Sequence, residues 1–95
     1  MNNYEAVLIA RAALSSDALE KLAEEMKGLI AKHKGEVAQL QTWGKRRLAF
    51  PIKKQQEGYY FLLEFALNPS ELKKIEHSFT LNDSLLRTMV IKKEA

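Results

Sequence analysis

The chain has 95 residues, enough for a single hydrophobic core and one domain spanning residues 1–95, but not for two. Its 46% hydrophobic and 28% charged residues argue against disorder, and the absence of cysteine excludes disulfides, thiol catalysis and thiolate metal sites. The net charge of +3 is unevenly spread: five cations face six anions through Trp43, and ten cations face six anions from Gly44 onward.

In chain order, YEAVLIA (residues 4–10) is a short apolar run that reads as a strand. Leu19, Leu22, Ala23, Met26, Leu29 and Ile30 then follow the i, i+3, i+4, i+7 spacing of an amphipathic helix. Ser16 or Asp17 can cap its start, Asp17 with Glu20 resembling a capping box, and Gly35 supplies a left-handed stop. From Glu36 to Lys54 helical periodicity is lost. Val37, Leu40 and Trp43 do not share one register, which predicts a bulge or bend near Gly44. The strand resumes with Leu48, Phe50 and Ile52 on one side and Arg47, Ala49, Pro51 and Lys53 on the other. Proline cannot donate to a sheet ladder, so Pro51 puts this strand at an edge.

QQEG (residues 55–58) reads as a turn and GYYFLLEFAL (residues 58–67) as the returning strand of a hairpin. Asn68 caps a second helix with Pro69 at its first position and Leu72, Ile75 and Phe79 on its buried stripe. Asn82 and Asp83 end that helix, and LLRTMVIKK (residues 85–93) forms a fourth strand. The order strand, helix, strand, strand, helix, strand, with right-handed crossovers, predicts an α+β fold. It is a ferredoxin-like βαββαβ sandwich, with both helices on one face of a four-stranded antiparallel sheet.

The uncovered face should be polar, and it is only partly so. Tyr59, Phe61, Leu63, Phe65 and Leu67 form the richer set of the third strand and are expected to face the helices. With Ala6 and Leu8 also inward, Val7, Ile9, Tyr60, Leu62, Met89 and Ile91 gather on the open face as an expected partner-protein interface. The basic second half points to a polyanionic partner, nucleic acid being the commonest, with an ordinary solvated surface as the alternative.

Signatures of catalysis are missing from the sequence. His33 and His77 lie apart on helices without metal-ligand spacing, and the serines sit at helix ends and turns, where capping accounts for them. Neither G-x-x-x-x-G-K-[ST] nor G-x-G-x-x-G occurs. Acylphosphatase-like enzymes share this order of elements but need an anion-cradling loop after strand one, where ARAALSS offers one arginine and no glycine. A module that homodimerises through its open face and senses a small ligand is the remaining alternative. No apolar run reaches the roughly 18–20 residues that span a bilayer, and no cleavable signal is expected ahead of the first strand.

GKRRLAFPIK (residues 44–53) resembles the signature of the bacterial small-subunit ribosomal protein S6 family. Gly44, Arg46, Arg47, Leu48, Ala49, Ile52 and Lys53 fit it, and Phe50 replaces the usual tyrosine. Tyr4-Glu5, Gly58-Tyr59-Tyr60 and LNDSLLR through Arg87 extend the likeness along essentially the whole chain. The resemblance implies a cytoplasmic, non-enzymatic constituent of the small ribosomal subunit. It would bind the central domain of 16S ribosomal RNA together with ribosomal protein S18, with no cofactor, membrane or small-molecule substrate. Tyr4, Lys45, Arg46, Arg47, Lys53, Lys54, Arg87, Lys92 and Lys93 are the expected RNA-binding residues.

Overall fold

A computed structural model describes residues 2–52 and 54–93, the side chain of Phe50 excepted. The elements are β1 (Asn2–Arg11), α1 (Ser16–Lys32), β2 (Glu36–Ile52), β3 (Gln55–Leu67), α2 (Pro69–Thr80) and β4 (Leu85–Lys92), in the expected order. The strands lie β2-β3-β1-β4 in one sheet, each neighbouring pair antiparallel. The ferredoxin-like arrangement expected from the sequence is thus present, with β2 and its Pro51 at an edge.

Strict alternation in β3 fixes the core. Phe61, Leu63, Phe65 and Leu67 are buried while Leu62, Glu64 and Ala66 between them are half-buried. The buried set closes against Tyr4, Ala6 and Leu8 of β1, Leu22, Met26 and Ile30 of α1, and Ile75 and Phe79 of α2. No polar or charged residue among those described is buried, so the core holds by apolar burial and packing.

The helix ends differ in detail from the sequence reading. Ser15, not Ser16 or Asp17, caps α1, its hydroxyl accepting from the Ala18 amide at 3.2 Å. At the other end Lys34 takes the left-handed position, with φ 64°. The Lys34 amide donates to Ala31 and the Gly35 amide to Ile30, which closes a Schellman motif. Gly35 answers a different need. A Cβ there would lie 2.7 Å from the Ala66 carbonyl oxygen and 2.8 Å from Ile30 Cγ2 and Leu67 Cδ1. Asn68 caps α2 as expected, accepting from the Ser70 amide at 3.1 Å.

The β2–β3 hairpin also closes earlier than QQEG suggested. Ile52 pairs with Gln55, and Lys54 adopts φ 65°, the left-handed geometry that a two-residue connection favours, so residues 55–58 continue as strand. The register then shifts between Arg47 and Ile52, so Leu48–Pro51 on β2 stands against Gln56 alone on β3. Lys53 lies outside the described residues.

Replacing Gly35 with alanine should cost roughly 1–3 kcal/mol, because the obstructing atoms include main chain that must shift. A urea melt should show a lowered midpoint with an unchanged slope.

Candidate nucleic-acid interface and open sheet face

Paired residues on neighbouring strands share a face, so the register places the hairpin cations. Lys45 lies opposite Tyr59, which packs toward the helices, and Arg47 lies opposite Glu57 on that same side. Arg46 lies opposite Gly58, on the open face. All three are exposed, as is Lys54 beyond them. Lys45 Nζ is 3.6 Å from a Glu57 carboxylate oxygen, whereas Arg46 and Arg47 pair with no carboxylate among the described residues. The basic edge therefore wraps around β2.

The expected cations of β4 divide. Arg87 is exposed on the open face, opposite Ile9, and the row Gly44, Tyr60, Ile9, Arg87 crosses the whole sheet. At three strand spacings, Arg87 stands about 14 Å from the β2 edge. Lys92 pairs with Tyr4 and so belongs to the helix side. Lys93 is committed to an internal clamp. Its Nζ lies 3.2 Å from Glu64 Oε1 and 3.6 Å from Glu5 Oε1. These two carboxylates stand directly opposite each other on β1 and β3, where like charges repel. The Glu64 hydrogen bond and charge, with a smaller contribution from Glu5, raise the Lys93 pKa above its ordinary 10.5.

Tyr4 must be withdrawn from the RNA-contacting set. It is 3% exposed, stacked on Phe65 at a centroid distance of 5.6 Å, and belongs to the main core. It shares its inward parity with Ala6 and Leu8, so its ring has no face to offer a base.

The open face carries the expected residues in register. Val7 lies opposite Leu62 and Met89, Ile9 opposite Tyr60, and Ile91 opposite Glu5. Met89 and Ile91 are 44% and 54% exposed, Val7, Tyr60 and Leu62 half-buried. Ile9 departs from the expectation of an accessible contact. It is 8% exposed and packs with Leu48 and Leu86 as a second, smaller core, flanked by Ile52 and Tyr60. Side-chain-free Gly58 lets Ile9 and Leu48 meet, since an added Cβ would run into Ile9 Cγ2. Leu86 reaches this face because the β1–β4 register shifts between Ile9 and Ala10, which turns Leu85 inward and breaks the alternation ahead of Arg87.

Trp43 on β2 and Leu81 at the end of α2 are exposed hydrophobic residues absent from the expected set, and of the two Trp43 lies on the sheet. Trp43 has no partner across the β2–β3 ladder, where the register shifts between Thr42 and Gly44, and it is 42% exposed. Its failure to share a register with Val37 and Leu40 was the available signal.

Elsewhere the chemistry is sparse. No group of three His, Cys, Asp or Glu side chains among the described residues could hold a metal. His33 Nδ1 lies 3.6 Å from Glu71, whose carboxyl is held below its ordinary pKa first by a Lys74 hydrogen bond and further by His33. A groove of about 350 Å³ between α1 and the β2–β3 edge, lined chiefly by Leu19, Ala23, Tyr59 and Phe61, contains no paired nucleophile and base. No described helix is long and apolar enough to cross a membrane.

Comparison with known proteins gives a consistent result. The family model for ribosomal protein S6 matches residues 3–92. The small ribosomal subunit protein bS6 of Clostridium novyi is 39% identical over 94 residues, 99% of each chain. That of Caldanaerobacter subterraneus is 35% identical over 92 residues, 97% of each chain. The crystal structure of 30S ribosomal protein S6 from Thermotoga maritima superposes with a TM-score of 0.91 at 25% identity, covering 97% of this chain and 87% of that one. The C-terminal domain of the MgtC protein from Mycobacterium tuberculosis shares the fold alone, with a TM-score of 0.69 at 10% identity.

The Lys93 clamp makes a pH-dependent prediction. A lysine whose folded pKa is raised contributes stability below its unfolded pKa and loses that contribution as pH rises through the folded value. Lys93→Met should therefore lower the melting temperature at pH 7 to about 9. The gap from wild type should close as the pH is taken above 10.5.

Proposed function

We propose a specific role on an established footing: the chain belongs to the ribosomal protein S6 family, structural and non-enzymatic constituents of the small ribosomal subunit in the bacterial cytoplasm. Within that subunit it binds the central domain of 16S ribosomal RNA together with ribosomal protein S18. The observation that carries this reading is the division of one sheet into two surfaces. Arg46 and Arg47 sit without carboxylate partners among the described residues on the β2 edge, and Val7, Leu62, Met89 and Ile91 form an apolar strip across β1, β3 and β4.

The two surfaces suit two kinds of partner. Cations on an edge strand neutralise phosphates and release counterions, which supplies affinity with little reading of bases. The A-form major groove is too narrow for side chains, so paired RNA is recognised by shape and backbone. An apolar strip gains from exclusion of water, which only a protein surface of matching shape supplies over such an area. Docking S18 there leaves the β2 edge free and enlarges the surface presented to RNA. Arg87, on the open face near the strip's end, is placed to contact either partner.

RNA binding with and without S18 across a salt series tests this reading. The Arg46→Ala, Arg47→Ala double variant should bind more weakly and flatten the logarithmic salt slope by about 1 to 2. An unchanged slope would remove both residues from the interface. Leu62→Ala should leave the monomer folded, because Phe61, Leu63 and Phe65 keep the helix-side core intact. It should weaken S18 binding roughly thirtyfold, the loss of about 2 kcal/mol expected for a buried anchor. A stable homodimer with little salt-sensitive RNA affinity would overturn the reading.

A further inference from the structure

We propose that Trp43 is a stacking platform for an unpaired RNA base, with Arg46 on the same face and Arg47 across the edge to hold the flanking phosphates. The inference deepens the RNA-binding reading above and rests on it.

The geometry begins with the bulge. Gln41 pairs with Leu62 and Gly44 with Tyr60, both on the open face, and Trp43 is the extra residue between the paired Thr42 and Gly44. A bulge re-aims a side chain at a strand edge, and Gly44 supports it with a φ of 87°. The indole is then fixed in direction, because its Nε1 donates to Gln41 Oε1 at 3.2 Å. With that N–H committed, the ring offers its flat faces. The aromatic pairs among the described residues are Tyr4–Phe65 and Tyr59–Phe61, so Trp43 stacks in neither. Beside it the surface is open: apart from its two chain neighbours, a Cβ added at Gly44 would meet no atom within 4 Å.

Charge chooses the occupant. The residues that follow are Lys45, Arg46 and Arg47, all exposed, and the two arginines have no carboxylate partner among the described residues. An aromatic face beside unpaired cations on an edge is the arrangement that binds single-stranded nucleic acid, where bases stack and cations follow the backbone. The apolar strip offered to a protein partner begins on β3 at Leu62, opposite Gln41, and runs away from this edge to Val7 and Met89 on β1 and β4. Paired RNA hides its base faces within the helix, so the platform selects loops, bulges and ends. Edge cations that track phosphates and a ring that takes one exposed base would together give position along the RNA as well as affinity.

Trp43 is the sole tryptophan of the chain, so fluorotryptophan labelling yields one fluorine resonance. It reads this ring in the chain alone and in complex with the unlabelled partner protein. Two probes serve, a hairpin RNA with a loop of unpaired adenosines and a fully paired duplex with the same number of phosphates. The hairpin should shift the resonance and the duplex should not. Trp43→Leu should weaken hairpin binding about tenfold while leaving duplex binding unchanged, and Trp43→Phe should retain most of the affinity. A shift produced by the partner protein alone, with no further change on adding RNA, would assign the ring to the protein interface and overturn the proposal. Equal losses for hairpin and duplex would overturn it too. If both RNAs bind with the salt dependence expected of Arg46 and Arg47 but the resonance stays still, the platform alone falls. If neither RNA binds, the RNA-binding reading falls and the platform with it.

Discussion

Two helices can cover one face of a four-stranded sheet, and every other feature of this molecule follows from how the second face is managed. The alternation of β3 makes the division sharp. Phe61, Leu63, Phe65 and Leu67 go to the helices, which commits Tyr60, Leu62 and Glu64 to the other side. Because side chains alternate with a period of two, a slip of one residue would exchange the two sets and expose the whole core. The register of β1 and β4 is then set by pairing, Val7 with Leu62 and Met89, so the open face is determined along with the core.

The second face is treated differently along its length. At the hairpin end Ile9, Leu48 and Leu86 close a small core of their own, which removes those side chains from any interface. At the opposite end Lys93 bridges Glu5 and Glu64, so a cation that sequence alone offers to RNA is spent on holding two opposed carboxylates together. Between these ends lie Val7, Leu62 and Met89, with Ile91 beside Glu5 at the charged end. What remains open is thus narrower than the count of apolar residues suggests. A partner that docks there meets a strip whose limits are set by packing at one end and an ion cluster at the other.

Much of this could be read from the sequence, and the misses have local causes. The elements, the edge position of β2, the inward set of β3 and the open-face residues all follow from periodicity and from Pro51. Ser15, Ser16 and Asp17 can each cap a helix, so composition could not choose among them, and the structure uses Ser15. Gly35 looked like a left-handed stop. Instead Lys34 bears that conformation, and Gly35 is required by the closeness of the Ala66 carbonyl, a contact 31 residues away in sequence that no local rule detects. The burial of Tyr4 was available from its parity with Ala6 and Leu8. Leu86 and Ile9 were not, since their small core depends on a register shift in β4 and on Leu48 arriving from a distant strand.

The edge strand shows why structural and binding roles converge. An exposed edge with free main-chain groups invites pairing with other chains, and proteins blunt it with bulges, charges and proline. β2 uses all three: register shifts at Ala38, at Trp43 and between Arg47 and Ile52, the cations Lys45, Arg46 and Arg47, and Pro51. Each device that discourages another strand also presents something to a different partner. The charges suit phosphate, the bulge leaves an indole exposed, and the proline interrupts the ladder without burying the chain. A regular, uncharged strand can also pair with β3. It would have left the edge open to self-association and offered nucleic acid neither cation nor aromatic face, so the irregularity of β2 is where protection against aggregation and the proposed binding surface become one property.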